Sequence, residues 1–285
     1  MLRTGKLLLT FGCLLAAGLA FAAKPLRING STTVNPVVAE AAEILRAERG
    51  LTIHVDTQGG SSGGIAALGD GRAEIAMISR PLEDEDRTRY PKAHFQPIRI
   101  GSDAVALVVS RDVWVGGVHS LSKAEVQGIY EGRIRSWREL GGSERRIVFF
   151  NKEPGRGTWE VFAHWAYGDP QKAPLVNLPE VGANEEALNK VASTQGAISQ
   201  LSSSWADGKR VFALGIKKED GKVVQPALTA VRDGSYPLAR PLQVVTDGPP
   251  RGESKALVDF LLSPRGQALV EKHGYLAVSG KAAAR

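Results

Sequence analysis

Apolar and polar positions along the chain follow two alternating periods. Val37, Val38, Ala41, Ile44 and Leu45 recur at helical spacing, with Glu40, Glu43 and Arg46 on the opposite side, which predicts a helix ended by Gly50. From Leu51 to Val55 the pattern switches to strand alternation, then runs through Gln58-Gly59-Gly60-Ser61-Ser62-Gly63-Gly64 into a helix with Ile65, Ala66 and Leu68. Glu74 to Ile78 reads as a third short strand that delivers Ser79-Arg80-Pro81, followed by an acidic helical segment, Glu83 to Arg87. Strands are predicted at Phe95 to Ile100 and Ala104 to Val109, with Asp103 in a turn between them; the second run is apolar throughout, as in a strand covered on both faces.

The second half repeats the alternation. Ser122 caps a helix through Tyr130, Arg146 to Phe150 is a strand, and the charged, glycine-rich loop Asn151 to Thr158 opens a helix carrying Trp159, Phe162 and Trp165 on its apolar side. Glu185 to Ser193 is a further helix, with short strands at Ala197 to Ser199, Val211 to Leu214 and Val223-Val224. Leu242 to Val245 is a strand returning toward the first half, and two helices close the chain. Strands alternating with helices predict an α/β sheet with helical crossovers.

Composition adds where the protein works. Arg3 and Lys6 precede an apolar run from Leu7 to Leu19 and the small-residue motif Ala20-Phe21-Ala22, so residues 1–22 read as a signal peptide cut before Ala23. The lone Cys13 falls inside it, and Thr10 and Phe11 are poor residues ahead of a lipid-anchor cysteine, so a soluble periplasmic protein is expected. The remaining chain has no thiol for a disulfide, a nucleophile or a zinc ligand. The net charge of +6 suits an anionic ligand, or simply a solvated basic surface. No dense Lys/Arg run with interleaved aromatics points to nucleic acid.

Three stretches share one grammar of strand end, glycine and hydroxyls, then helix start: Gly30-Ser31-Thr32-Thr33, Gly60-Ser61-Ser62-Gly63 and Pro154-Gly155-Arg156-Gly157-Thr158. Any one is also an ordinary helix cap. Together with Ser79-Arg80 they occupy carboxyl ends of strands, where open α/β sheets bind ligands, and first-turn amides with hydroxyls favour an anion. The set is rich in O–H and N–H donors and lacks an apolar floor, which fits a small tetrahedral oxyanion better than a sugar or amino acid. No nucleotide-type glycine loop is present.

These motifs, with Ile78-Ser79-Arg80-Pro81-Leu82 and Tyr130-Glu131-Gly132 through Trp137, resemble the ordered signposts of periplasmic phosphate-binding proteins across nearly the whole mature chain. The resemblance implies an α/β, two-lobed periplasmic binding protein fold of type II, each lobe a mixed sheet flanked by helices, with two hinge crossover strands. Lobe 1 would comprise 23–107 plus 236–285 and lobe 2 would comprise 108–235. It further implies a monomer without cofactor or metal that binds inorganic phosphate and delivers it to a membrane-embedded ABC transporter permease. Carried over by motif, the site would draw on Thr32, Thr33, Ser61, Ser62, Ser79, Arg80, Lys152, Arg156, Gly157 and Thr158, with Asp103 as the acceptor for a phosphate proton or else a plain turn residue. The family places arginine where Lys152 stands and serine where Arg156 stands, so Arg156 is expected to supply the bidentate fork that lysine lacks.

Sulfate, molybdate or a phosphonate remain open as ligands. An exported hydrolase or phosphatase is the rival class, but no G-x-S-x-G elbow occurs and His54, His94, His119, His164 and His273 lack ligand spacing. A binding fold kept for protein interaction without ligand is the third reading.

Overall fold

The computed structural model describes residues 24–278. The leader predicted over 1–22, with Cys13, lies outside them. In chain order the first half runs β1 (Leu26–Gly30), α1 (Asn35–Arg49), β2 (Ile53–Asp56), α2 (Gly60–Gly69), β3 (Ile75–Ile78), α3 (Asp84–Arg89) and β4 (Phe95–Ser110). The second continues through α4 (Arg111–Val115), β5 (Ser120–Ser122), α5 (Lys123–Tyr130), β6 (Val148–Lys152), α6 (Gly157–Tyr167), β7 (Glu180–Val181), α7 (Asn184–Ser193), β8 (Ala197–Ser202), β9 (Val211–Lys217), β10 (Val223–Val224) and α8 (Leu228–Arg232). The chain then returns by β11 (Ala239–Asp247) and ends in α9 (Gly252–Leu262), α10 (Pro264–Lys272) and β12 (Leu276–Ala277).

The strands join in the order β2-β1-β3-β11-β4-β8-β6-β7. β1 is parallel to β2 and β3, and β6 is parallel to β8 and β7, so each half has a parallel centre connected by helices. The link between them is β4. Its first part pairs antiparallel with β11, and from Val105 onward it pairs with β8, then also with β9. One apolar core gathers Ile28, Val37, Leu45, Ile75, Ile100 and Leu242, and another gathers Ala104, Leu107, Trp137, Phe149, Phe162 and Leu238. Packing therefore changes sides between Ile100 and Ala104 in β4, and between Leu238 and Leu242 at β11.

Helix ends follow local chemistry. Ser122 accepts from the Glu125 amide at 3.2 Å while Glu125 accepts from the Ser122 amide at 2.7 Å, a reciprocal cap that starts α5. Pro36 and Pro264 occupy first-turn positions in α1 and α10, where their missing N–H is harmless. One expectation is corrected: the two strands predicted around Asp103 form a single strand of 16 residues. The carboxylate needs no turn because Arg240 of β11 lies opposite it in the ladder and neutralises it there.

Candidate functional site

Four helices begin where the two halves face each other: α1 just after Ser31-Thr32-Thr33, α2 at Gly60, α6 at Gly157 and α7 at Asn184. First-turn amides lack intrahelical acceptors and carry partial positive charge, so converging helix starts favour negative charge between them. A cavity of about 10 Å³ lies there, lined by Ser31, Thr32, Thr33, Gly60, Ser61, Ser79, Lys152, Arg156, Gly157, Thr158, Gly182 and Asn184. Among the described residues, its lining contains no carboxylate and no histidine. The sequence reading named most of it, and Asn184 and Gly182 are additions from a fourth helix start.

Close approach between the halves is built in. A Cβ on Gly157 would stand 2.5 Å from the Ser61 hydroxyl and 2.8 Å from that of Ser79, so only glycine lets α6 meet α2 and the end of β3 this closely. The Ser62 amide donates across to the Gly155 carbonyl at 3.0 Å. Asn184 donates to the Thr33 hydroxyl at 3.0 Å, again from one half to the other.

The cation behind these hydroxyls is Arg240, which sequence reasoning missed. Its side chain is fully buried and paired with an equally buried Asp103, Nε and Nη2 donating to one carboxylate oxygen at 3.0 and 2.7 Å. The rest of the guanidinium fans outward: Nη1 donates to the Thr158 hydroxyl at 2.9 Å and to Ser79 at 3.3 Å, and Nη2 to the Thr33 hydroxyl at 3.2 Å. Arg240 thus connects hydroxyls of both halves to one fixed charge. The signal for it was two opposite charges, Asp103 and Arg240, each inside an otherwise apolar strand, since burial of either alone is strongly unfavourable.

Three predicted residues are not on the cavity. Asp103 is committed to Arg240, and its second oxygen accepts from Ser203 at 3.3 Å, so it faces away from the lining as a partner for a cation rather than for a ligand proton. Arg80 is buried but turned into an ion-pair cluster, 2.6 Å from Asp86 and also hydrogen-bonded to Glu160. Burial alone would lower its pKa, but the hydrogen bonds it donates to Asp86 and the charges of Glu160 and Asp86 raise it on balance. Ser62 donates to the same Glu160 at 2.8 Å. This cluster fastens α6 to the first half. It borders a larger groove of about 710 Å³ between α3 and α6 that also exposes Glu83, Asp84, Glu85 and Asp169. Its six carboxylates outnumber its three cations, Arg80, Arg89 and Lys172, and this net negative charge makes the groove a poor seat for an anion despite its size.

Two cations do line the cavity. Arg156 uses its fork on Glu153, with Nε donating at 2.9 Å, and reaches across to the Thr57 carbonyl at 3.4 Å. The fork expected to face a ligand is therefore occupied within the loop. Lys152, the last residue of β6, is almost wholly buried and its Nζ donates to the carbonyls of Gly182 and Ala183 at 2.8 and 2.9 Å. Burial pushes the Lys152 amine down to about 7, with Arg156 and Arg240 acting the same way against weaker help from Glu186 and Glu153. The unfolded chain then binds more protons than the folded one between that value and the ordinary 10.5, so this residue makes stability rise with pH across the window. The expected result is that wild-type unfolding midpoints climb relative to Lys152→Met as pH goes from about 7 to 10 in denaturation series; parallel curves would contradict it.

Comparison with known proteins agrees with this architecture. A family model described as a PBP superfamily domain matches residues 16–265. The phosphate-binding protein PstS of Bacillus subtilis (strain 168) is 30% identical over 279 residues, covering 93% of this chain and 84% of that protein. A structure described as a phosphate ABC transporter substrate-binding protein with bound phosphate, from Clostridium perfringens, superposes with a TM-score of 0.79 at 29% identity, covering 90% of this chain and all of the other. An ABC-type phosphate transport receptor from Vibrio cholerae shares the fold with a TM-score of 0.70 at 24% identity, over 89% of this chain and all of that one. With its two-lobed α/β fold and its ring of helix starts, the chain belongs to the PBP superfamily and, within it, to the family of PstS phosphate-binding proteins.

Proposed function

We propose that this protein binds inorganic phosphate between its two halves outside the cytoplasm and hands it unchanged to the membrane-embedded permease of an ABC transporter. The observation that carries the reading is the cavity where four helix starts, the hydroxyls of Thr33, Ser79 and Thr158, and the guanidinium of Arg240 converge from both halves. A dehydrated oxyanion needs many donors at once, because each unsatisfied oxygen would cost about 1–3 kcal/mol. Here the donors already touch one another, and an entering oxyanion takes over the contacts they make among themselves.

The segments 23–107 plus 236–285 and 108–235 act as lobes, with β4 and the start of β11 as the passages between them. The binding residues are Thr32, Thr33, Ser61, Ser79, Lys152, Arg156, Gly157 and Thr158 from the sequence motifs, with Asn184 and Arg240 added. Export by the leader over 1–22 puts the monomeric protein in the periplasm, and nucleic acid has no part in its work. The function is non-catalytic: the lining offers hydroxyls, but the one base beside them, the Lys152 amine, is hydrogen-bonded to the Gly182 and Ala183 carbonyls and to none of those hydroxyls. Calorimetric titration of phosphate into desalted protein tests this directly. One saturable site per chain, with no phosphate released from p-nitrophenyl phosphate, is expected. Turnover of the ester would make the protein a phosphatase, and no binding by the folded protein would leave it an interaction module.

A further inference from the structure

The lining holds no carboxylate, yet monohydrogen phosphate and sulfate carry the same charge and nearly the same shape. They differ in one proton. A site that separates them must contain a hydrogen-bond acceptor that phosphate satisfies and sulfate cannot, and Asp103 is spent on Arg240 and Ser203. The lining's hydroxyls can rotate to donate to either anion and so do not separate them. That leaves the Asn184 amide oxygen and the Lys152 amine as acceptors, and only the amine can change its own proton count with pH. Lys152 Nζ is buried at the end of β6 with two carbonyl partners, those of Gly182 and Ala183. An uncharged amine has two N–H groups and one lone pair. The two carbonyls use both N–H groups, and the lone pair is left over on a residue that lines the cavity.

The surroundings disfavour the charged form of that amine. The charged groups that act on it are Arg156 from the loop before α6 and Arg240 from β11, both cations, against the carboxylates of Glu186 on α7 and Glu153 after β6. Among the described residues, no carboxylate lies within salt-bridge distance of Nζ in the way Asp103 meets Arg240. Together with burial, this brings the ammonium form into balance with the neutral one near pH 7.

We propose that Lys152, and not a carboxylate, reads the ligand's proton: as a neutral amine it accepts the hydrogen of monohydrogen phosphate, which sulfate does not carry. This rests on the reading of the cavity as a phosphate site. The proton balance differs between the two anions. Monohydrogen phosphate brings its own proton, which lies between a phosphate oxygen and Nζ, and none is exchanged with solvent. Sulfate meets a lone pair unless Nζ first takes a proton from water, and above neutral pH that step lowers its affinity about tenfold per pH unit.

The experiment is competition calorimetry of phosphate, arsenate and sulfate on the full mature protein between about pH 7.5 and 9.5, in buffers of differing ionisation heat, with the Lys152→Arg variant alongside. The expected result is a phosphate-to-sulfate affinity ratio that rises about tenfold per pH unit, near-zero proton uptake with phosphate and about one proton taken up with sulfate. Arsenate, whose dianion keeps a hydrogen, should follow phosphate. Lys152→Arg carries a charge that does not titrate in this range, so it should lose the pH dependence of the ratio and gain sulfate binding. A ratio flat with pH in the wild type overturns the proposal. So does failure to detect sulfate with both wild type and a folded Lys152→Arg variant. Absence of phosphate binding by the wild type would instead overturn the proposed function itself.

Discussion

Arg240→Met is expected to lower phosphate affinity by at least a hundredfold and to destabilise the protein by about 3–5 kcal/mol, the usual consequence of leaving one partner of a buried ion pair uncompensated. Both losses have one origin. The guanidinium that neutralises Asp103 is the same one that reaches Thr33, Ser79 and Thr158. Hydrogen bonds to a charged group contribute about 1.5–3 kcal/mol each, and two such contacts correspond to the loss expected in binding. The two effects can be separated. In the double variant Arg240→Met with Asp103→Leu, no charge is left stranded, and replacing a buried pair by apolar side chains is often neutral or stabilising. Its unfolding midpoint should return toward wild type while phosphate binding stays lost. Recovery of binding in the double variant would show that Arg240 acts only to neutralise Asp103.

Gly157→Ala is expected to act the other way round, on closure rather than on folding. The added methyl would sit 2.5 Å from the Ser61 hydroxyl, 2.8 Å from that of Ser79 and 3.0 Å from the Ser79 carbonyl. Overpacking of this kind costs about 1–3 kcal/mol. Because Ser61 and Ser79 belong to one half and Gly157 to the other, the clash exists only when the halves meet, so parting them relieves it. Phosphate affinity should therefore fall about ten- to a hundredfold, with little change in the ligand-free unfolding midpoint. Calorimetry and thermal denaturation on the same samples check it; undiminished affinity with a much lower midpoint would mean the contact is needed for folding and not for binding.

The two predictions also mark what the sequence could and could not reveal. Thr33, Ser61 and Thr158 were legible because a hydroxyl beside a glycine at a helix start is a local pattern, and helix starts at strand ends point to one side of a parallel sheet. The α/β alternation was legible for the same reason. Arg240 was not, because its meaning depends on a ladder pairing with Asp103, 137 positions away, and a short apolar strand reads the same with or without its charged start. Arg80 was misplaced because its neighbours decide its direction: Asp86 lies six residues on, but Glu160 comes from the other half. Motif position located its backbone at the end of β3, while electrostatics turned its side chain into the outer groove. Lys152 held the expected position, but only the fold shows that its partners are two carbonyls and no acid.

The most direct test of the central claim, that the oxyanion sits among the helix starts between the halves, is anomalous diffraction from crystals of the mature protein grown with arsenate. The account predicts one arsenic peak per chain, enclosed by the hydroxyls of Thr33, Ser79 and Thr158 with Lys152 and Arg240 beside it. An arsenic peak in the outer groove next to Arg80 and Trp165, with none among the helix starts, would contradict it.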